Sequence, residues 1–320
     1  MLDDVTSIEK KCNAAAFDPS GRDVLAFALA ERRAARKAAI ITLVDIDGSS
    51  PREIGAQMAV AEDGRSVGSI SSGCLERAII EEARAALERG AGGVIRYGKG
   101  SKYLDVVLPC GSGVDVLYTV DLDPAVLDDC VTALDRRAPQ ALDFSDHGAT
   151  LSGHARSEWL DSVFTRAYQP RLRIVAAGAG AELIALSRVA SASGYAFCAI
   201  SPETETLEKC ATGEKHLLQS AGQAPDVNID PWTAFIFLFH DREWELALAP
   251  RALDSSAFYV GAVGSRKTHS SRLEVLRGQG VDEEMLTRLD GPIGLLPRTR
   301  DPSALAVSVL AGVLSHWPHP

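Results

Sequence analysis

The second half of the chain alternates short apolar segments with helical segments, and this alternation restricts the possible folds more than any other feature. Segments rich in β-branched or aromatic residues occupy 172–176, 195–200, 235–239 and 258–263. Strands that are apolar on both faces are typical of parallel sheets covered by helices on both sides. The sequence therefore predicts an α/β protein with a Rossmann-like, doubly wound parallel sheet in a C-terminal domain at 171–320.

The first half has a mixed pattern instead. Its predicted elements are a helix at 24–38, strands at 39–46, 58–60 and 67–70, a helix at 75–89, and strands at 105–108 and 114–120. Gly64 marks a hairpin turn and Gly90 a helix stop. These elements predict an α+β domain over 1–140. The polar, weakly periodic segment 141–170 is expected to be a connector with one hairpin.

Length and charge limit the class of protein. A chain of 320 residues is long enough for two domains, and its net charge of -10, without a block of basic residues, argues against a nucleic-acid surface. No apolar run reaches the roughly 18 residues of a membrane span. The charged first residues lack the apolar centre of a signal peptide, so we expect a cytoplasmic protein.

Six cysteines are scattered along the chain without CxxC spacing, so their spacing indicates no zinc site. Two of them stand in loops rich in glycine and serine. Cys74 lies in Gly68-Ser-Ile-Ser-Ser-Gly-Cys-Leu-Glu76, where a strand leads into a helix and the helix dipole favours an anion or a thiolate. Cys110 lies in Pro109-Cys-Gly-Ser-Gly113, at a strand end. We expect both thiols to face one pocket, although a buried structural role for Cys74 explains the pattern equally well.

A third small-residue loop, Gly48-Ser-Ser-Pro-Arg-Glu-Ile-Gly55, separates two predicted strands. Its backbone N–H groups, its two hydroxyls and Arg52 could together hold an anion. A tight hairpin connection is the competing interpretation, since Gly-Ser-Ser-Pro is common in turns.

The predicted parallel sheet carries two glycine turns in the context of a phosphate site. Gly178-Ala-Gly180 stands between a strand and a helix, and Gly264-Ser-Arg-Lys267 opens a later helix. A classical NAD(P) site is disfavoured because Leu183 replaces the third glycine and the second strand ends in Ile200-Ser-Pro without an acidic residue, Glu203 being late and following the proline. His240-Asp241 follows another apolar strand, where a ligand contact and a structural pair are both open.

Taken together, these motifs resemble the XdhC/CoxI family of molybdenum-enzyme accessory proteins. The resemblance rests on the order and spacing of eight segments, which are Gly48–Arg52 with Gly55-Ala, Gly68–Glu76, Cys110-Gly111, Gly178–Gly180, His240-Asp241, Tyr259–Lys267, Pro292–Leu295 and the helix 301–314. The chain departs from the family pattern at Ser72, where a glycine is usual, at Ala181, where a histidine is usual, and at Leu296, where an acidic residue is usual.

The resemblance implies a protein that binds the molybdenum cofactor while its terminal sulfur ligand is installed, and then delivers it to a xanthine-dehydrogenase-like molybdenum hydroxylase. The apoenzyme and a cysteine desulfurase are the implied partners, a homodimer is left open, and no catalytic residue is implied. The implied cofactor-binding residues are Ser50, Arg52, Cys74, Glu76, Cys110, Gly178, Gly180, His240, Gly264, Ser265, Arg266 and Lys267. Cys74 and Cys110 are the implied contacts to molybdenum, a soft metal that suits thiolate ligands.

Two other functions compete with this one. An NAD(P)-dependent oxidoreductase built on the Rossmann-like domain predicts binding of NAD(H). An interaction scaffold that binds no small molecule predicts that the purified protein carries no pterin.

Overall fold

The computed structural model describes residues 20–73, 75–101, 111–154, 156–160, 162–211, 213–296 and 299–318. The chain divides into two units between Pro170 and Arg171. Cys74, Cys110 and the strand predicted at 105–108 lie outside the described residues.

The N-terminal unit is built on an antiparallel sheet. Its strands are β1 (Ala38–Asp47), β2 (Gln57–Ala61), β3 (Ser66–Gly68), β4 (Gly93–Gly98) and β5 (Gly113–Thr119). They form a five-stranded sheet in the order β3-β2-β1-β5-β4. The helices of this unit are α1 (Gly21–Arg33), α2 (Glu76–Arg89) and α3 (Pro124–Asp135).

Strand β1 is buried on both faces, which explains why its sequence is a continuous apolar run. Ile41 and Leu43 pack into a core that includes residues of α2, whereas Ile40 and Val44 pack into a second core with α1 and α3. A bulge between Leu43 and Asp45 shifts the register with β5. Bulges bend a strand and redirect the loop that follows it, and here that loop is the Gly48–Gly55 motif.

Residues 140–168, which the sequence predicts as a connector with one hairpin, form a second antiparallel sheet. Its strands are β6 (Gln140–Ser145), β7 (Gly148–Leu151), β8 (Glu158–Leu160) and β9 (Val163–Tyr168), in the order β7-β6-β9-β8. Leu142, Phe144 and Phe164 join the core beneath α1 and α3. The sheet therefore belongs to the N-terminal unit, and apolar residues of its strands form part of the core of that unit.

The C-terminal unit contains the predicted parallel sheet. Its strands are β10 (Arg173–Gly178), β11 (Ala196–Ser201), β12 (Glu214–Leu217), β13 (Thr233–Leu238), β14 (Tyr259–Ala262) and β15 (Leu289–Asp290). All neighbours are parallel, in the order β12-β11-β10-β13-β14-β15. This is a doubly wound, Rossmann-like order whose direction reverses between β10 and β13. The predicted fold class is confirmed.

Helices cover both faces of this sheet. They are α4 (Gly180–Ala192), α5 (Thr204–Lys209), α6 (Leu248–Asp254), α7 (Arg266–Gly278), α8 (Glu283–Thr287) and α9 (Pro302–Ser315). Ile174 and Ala176 of β10 pack with α4 and α9 on one face, and Val175 and Ala177 pack with α6 on the other. Across the part of the chain that is described, no helix has both the length and the apolar character to cross a membrane.

Candidate functional site

Two of the small-residue loops of the N-terminal unit lie side by side. The backbone N–H of Ser49 donates a hydrogen bond of 3.0 Å to Oγ of Ser112, which precedes β5. Gly48 has a φ of +107°, and a Cβ on it would lie 3.0 Å from the same Oγ. Glycine is therefore needed at position 48, both for its backbone conformation and for the close approach of the two loops. Ser50 contributes within its own loop, because its Oγ accepts a 3.2 Å hydrogen bond from the N–H of Arg52.

Glu76 organises the loop that precedes α2. Its carboxylate accepts hydrogen bonds of 2.6 to 3.2 Å from the side chains of Ser69 and Ser71 and from the backbone N–H groups of Ile70, Ser71 and Gly73. Burial disfavours the charged form, but the hydrogen bonds from Ser69 and Ser71 outweigh it and lower the pKa of Glu76 to about 2. The structure thus directs the carboxylate of Glu76 to its own loop, where it holds the backbone in place.

Ser72, one of the departures from the family pattern, lies in this loop with a φ of +56°. This left-handed conformation is disfavoured for every residue with a Cβ, so glycine suits the position better than serine. The loop nevertheless keeps its shape, since the N–H of Ser72 donates to Oγ of Ser69 at 3.0 Å.

A small cavity connects the Gly48–Gly55 loop with the loop held by Glu76. It has a volume of about 130 Å³, and we name it the arginine cavity after two of its residues. Its lining consists of Gly21, Val24, Arg52, Gly55, Ala56, Gln57, Ser69 and Arg166. Among the described residues its lining includes two arginines and no acidic side chain, a composition that suits an anion. Glu53 is close enough to act on the pKa of Arg166 without lining the cavity.

Arg166 is a site residue that the sequence interpretation missed, because it lies in the segment taken as a connector. Its Nη1 donates to Ser157 Oγ at 3.1 Å and to the carbonyl of Ala167 at 2.8 Å, while its Nε is buried and has no hydrogen-bond partner among the described residues. Burial lowers the pKa of Arg166. A buried donor without a partner carries an uncompensated desolvation cost, and an anionic ligand would remove that cost.

In the C-terminal unit the predicted glycine turns lie at the carboxyl ends of β10 and β14, with His240 after β13 between them. Gly178 is required by packing, since a Cβ there would lie 2.6 Å from Cβ of Leu238. One strand, β13, lies between β10 and β14, so the two turns are two strand spacings apart, or about 10 Å. A ligand touching both turns would therefore have the length of a nucleotide.

Glu203 changes the interpretation of the first glycine turn. The sequence shows no acidic residue at the end of β11, yet Glu203 follows two residues after Ser201 and folds back over the turn. Its Oε2 accepts a 3.2 Å hydrogen bond from the N–H of Gly180, which also donates to Thr206 Oγ1 at 3.0 Å. A carboxylate thus occupies the amide that a bound phosphate would use at the start of α4.

The second glycine turn is more open. Ser265 caps α7, with its Oγ accepting a 3.1 Å hydrogen bond from the N–H of Thr268, and Gly264 precedes it with a φ of +139°. Arg266 and Lys267 are exposed, and in the described ranges neither forms an ion pair with a carboxylate. Both cations are available at a helix N-terminus, where an anion is favoured.

His240 is 81% exposed, and its Nε2 lies 3.4 Å from a carboxylate oxygen of Glu182. It lines a cavity of about 380 Å³ together with Arg242, Glu245 and Arg272. Glu245 and Arg272 form a buried ion pair of 2.6 Å, and burial raises the pKa of Glu245. The sequence interpretation missed this pair, whose partners are 27 residues apart.

Comparison with known proteins supports the family suggested by the motifs. The XdhC and CoxI family matches residues 31–98, and the XdhC Rossmann domain matches residues 174–313. The molybdenum cofactor insertion chaperone PaoD of Escherichia coli K12 is 33% identical over 297 residues, which cover 92% of this chain and 88% of that protein. The uncharacterized protein YqeB of the same organism is 27% identical over 282 residues, and the match spans 86% of this chain but only 43% of YqeB.

A crystal structure from Bacillus halodurans, described as a xanthine dehydrogenase, has the same fold. It superposes with a TM-score of 0.75 at 20% identity, covering 93% of this chain and 96% of the other. The two matched families together span most of the chain, and the first relative matches it almost end to end. The chain therefore belongs to the XdhC and CoxI family.

Proposed function

We propose that the protein binds the molybdenum cofactor, holds it while its terminal sulfur is installed, and passes it to a xanthine-dehydrogenase-like molybdenum hydroxylase in the cytoplasm. Its similarity to a molybdenum cofactor insertion chaperone supports this role. The structural observation that carries the proposal is the arginine cavity, which brings Arg52, Ser69 and Arg166 together between two family motifs.

The arginine cavity suits the anionic part of the cofactor. Guanidinium groups bind phosphate and other oxyanions through paired N–H donors, and Arg166 has a buried donor to spare. The amide of Gln57 adds a neutral hydrogen-bonding group at the same cavity, whereas the hydroxyl of Ser69 already donates to Glu76. In this proposal Glu76 and Ser50 hold the loops, and the two arginines hold the ligand.

The thiols of Cys74 and Cys110 are proposed to approach the metal. Cys74 directly follows Gly73 of the loop held by Glu76, and Cys110 stands two residues before Ser112, which contacts the Gly48–Gly55 loop. Thiolates are preferred ligands of soft metal centres. A cysteine desulfurase would supply the sulfur and the hydroxylase apoenzyme would receive the cofactor, so this chain needs no catalytic residue of its own.

The C-terminal unit is proposed to bind a phosphate-bearing part of the ligand through Ser265, Arg266 and Lys267, with Gly264 allowing close approach. Gly178, Gly180 and His240 flank this edge, but Glu203 already occupies the amide of Gly180.

Arg266→Ala should weaken binding of inorganic pyrophosphate about twofold to fivefold at low salt, because an exposed charge contributes about 0.5–1 kcal/mol. The loss should shrink as salt rises.

A second candidate is an NAD(P)-dependent oxidoreductase, and Glu203 is the observation that favours it. In Rossmann domains an acidic residue near the end of the second strand binds the ribose hydroxyls of NAD. Here the carboxylate of Glu203 already accepts hydrogen bonds from Gly180 and Thr206. Calorimetry with NADH distinguishes the two functions, because only the oxidoreductase requires binding.

Retention of the cofactor tests the proposal. The protein is purified from cells that make the molybdenum cofactor, and bound pterin is measured by the fluorescence of its oxidised form. Wild type should retain pterin, Cys74→Ala and Cys110→Ala should retain less, and the control Cys210→Ala should match wild type. Absence of pterin from the wild type, or retention equal to that of wild type in both cysteine variants, would contradict the proposal.

A further inference from the structure

A group of three metal-binding side chains lies at the edge of the parallel sheet, away from the glycine turns. Cys198 of β11 pairs with Glu214 of the edge strand β12, and Ile200 pairs with His216. Side chains alternate along a strand, so Cys198, Glu214 and His216 share one face of the sheet. The Cys198 Sγ, a carboxylate oxygen of Glu214 and a ring nitrogen of His216 all lie within 4.8 Å of one another.

The register that brings these groups together is fixed by backbone packing. Gly213 precedes β12, and a Cβ on it would lie 2.3 Å from the carbonyl oxygen of Phe197. Any other residue would push the start of β12 away from β11. At the other end of the pairing, the N–H of Leu218 donates to the carbonyl of Ser201 at 2.9 Å. Glu214 and His216 are thus held beside Cys198 by both ends of the strand.

We propose that Cys198, Glu214 and His216 bind a transition-metal ion of the zinc class. Thiolate, imidazole and carboxylate are the three ligand types of protein zinc sites, whereas magnesium and calcium prefer oxygen alone. Three protein ligands leave the fourth position of a tetrahedral ion to water. The ion would join the edge strand to its neighbour, so its role is to hold β12 on the sheet.

The geometry requires only small movements. Bonds of 2.0–2.3 Å to a tetrahedral ion place the ligand atoms roughly 3.5 Å apart. The 2.7 Å contact between His216 Nε2 and Glu214 Oε1 must therefore open by somewhat less than 1 Å, and the widest separation, which is at most 4.8 Å, must close by no more than about 1.3 Å. Side chains that are 51% exposed at Glu214 and 26% exposed at His216 can make these changes and give the ion access from solvent.

The groups around Cys198 oppose metal binding. Burial, together with the charge of Glu214, raises the pKa of the Cys198 thiol to about 12, so the metal must displace a proton that is firmly held. Arg173 is a nearby cation, and it is engaged by Asp230 and by Oγ1 of Thr233. A metal-free alternative is a surface ion pair between His216 and Glu214 beside a cysteine that only fills the core.

Cobalt(II) can replace zinc as a spectroscopic probe, and it distinguishes the metal site from the metal-free alternative. Only a thiolate bound to cobalt gives an intense near-ultraviolet charge-transfer band. The full chain is titrated with Co²⁺ and then with Zn²⁺, under reducing conditions. The variants are Cys198→Ser and His216→Ala, of which the second leaves the core untouched. Their matched controls are Cys210→Ser, another buried cysteine of the same unit, and His147→Ala, an exposed histidine.

Wild type should show the cobalt–thiolate band and lose it when Zn²⁺ is added. The band should be absent in Cys198→Ser and weakened in His216→Ala, with at least tenfold weaker zinc binding, while both controls match wild type. No band in the wild type, or a band as strong as that of wild type in either Cys198→Ser or His216→Ala, would overturn the proposal.

Discussion

Both units of this protein hold a carboxylate against a loop that leads into a helix, but the two carboxylates differ in what they leave open. In the N-terminal unit Glu76 accepts its hydrogen bonds from its own loop, and the arginine cavity beside that loop contains no carboxylate. In the C-terminal unit Glu203 accepts a hydrogen bond from Gly180, at the amide where a phosphate would bind. A carboxylate thus holds the loop beside the proposed anion site in one unit, and in the other it accepts the hydrogen bond that an anion would need.

This difference should change the free energy of anion binding in the two units. An anion entering the arginine cavity meets two arginines, one of which has a buried N–H donor with no partner among the described residues. An anion approaching Gly180 meets the negative charge of Glu203, which it must displace. Binding is therefore expected to depend mainly on the N-terminal unit, with the Ser265–Lys267 turn as a weaker contact.

The largest effect is expected from Glu76→Gln, which removes the charge that holds its loop. The pKa of Glu76 is lowered from 4.5 to about 2, so its stabilising contribution is complete above pH 4.5 and is lost as the pH falls toward 2. We expect a loss of about 1–3 kcal/mol of unfolding free energy at pH 7, discounted for partial solvent exposure. Urea unfolding at pH 7 and at pH 2.5 measures it.

The matched control is Glu88→Gln, an exposed glutamate on the same helix. It should change stability by less than about 0.5 kcal/mol. If Glu76→Gln is as stable as wild type at pH 7, or if the difference between them does not narrow at pH 2.5, Glu76 does not hold the loop through its charge.

The next largest effect is expected from Glu203→Gln, which tests whether the carboxylate of the C-terminal unit opposes anion binding at Gly180. Removing the like charge near Gly180 should strengthen binding of inorganic pyrophosphate by about threefold to tenfold, since a charge a few ångströms away costs about 1 kcal/mol at high dielectric. Calorimetry at low salt compares it with Glu208→Gln, a control on the same helix, α5. Unchanged affinity in Glu203→Gln would show that this carboxylate does not obstruct the turn.

The smallest effect is expected from Ser72→Gly, which restores glycine where φ is +56°. Relief of the left-handed conformation should stabilise the protein by about 0.5–1 kcal/mol. Ser193→Gly is the control, because the φ of Ser193 is -84° and glycine gains nothing there. Thermal unfolding that shifts equally in both variants would mean that Ser72 carries no strain.

The sequence predicted those strands that are apolar on both faces. The parallel sheet of the C-terminal unit and strand β1 are such parts, because their residues form continuous apolar runs. The sheet of β6–β9 was missed, since its strands are short and polar residues such as Asp143 and Arg166 interrupt their buried positions. Helix α3 was also missed, although its Asp123-Pro124 start is a recognisable cap signal, with Asp123 accepting from the N–H of Ala125.

The candidate sites were predictable only where their residues are close in sequence. The loops at 48–55 and 68–76 could be found from their composition, but their meeting at the arginine cavity depends on the fold. The sequence gives one indication of Arg166. It alternates along β9 with the buried Phe164 and Tyr168, so its side chain lies on the same face of the strand as theirs. Glu203 was visible only as a late acidic residue after Pro202, and its contact with Gly180 depends on the fold. The group at Cys198 gave no signal, since a strand register brings its residues together.

The most direct test of the account compares cofactor retention after removing one arginine from each unit. Arg166→Met and Arg266→Met are purified from cells that make the molybdenum cofactor, with Arg89→Met, an exposed arginine of α2, as the control. Arg166→Met should lose about tenfold or more of the bound pterin, as expected for a charged hydrogen bond of 1.5–3 kcal/mol, whereas Arg266→Met should lose about fivefold at most. Full retention in Arg166→Met together with a large loss in Arg266→Met would contradict the account and assign the cofactor to the C-terminal unit.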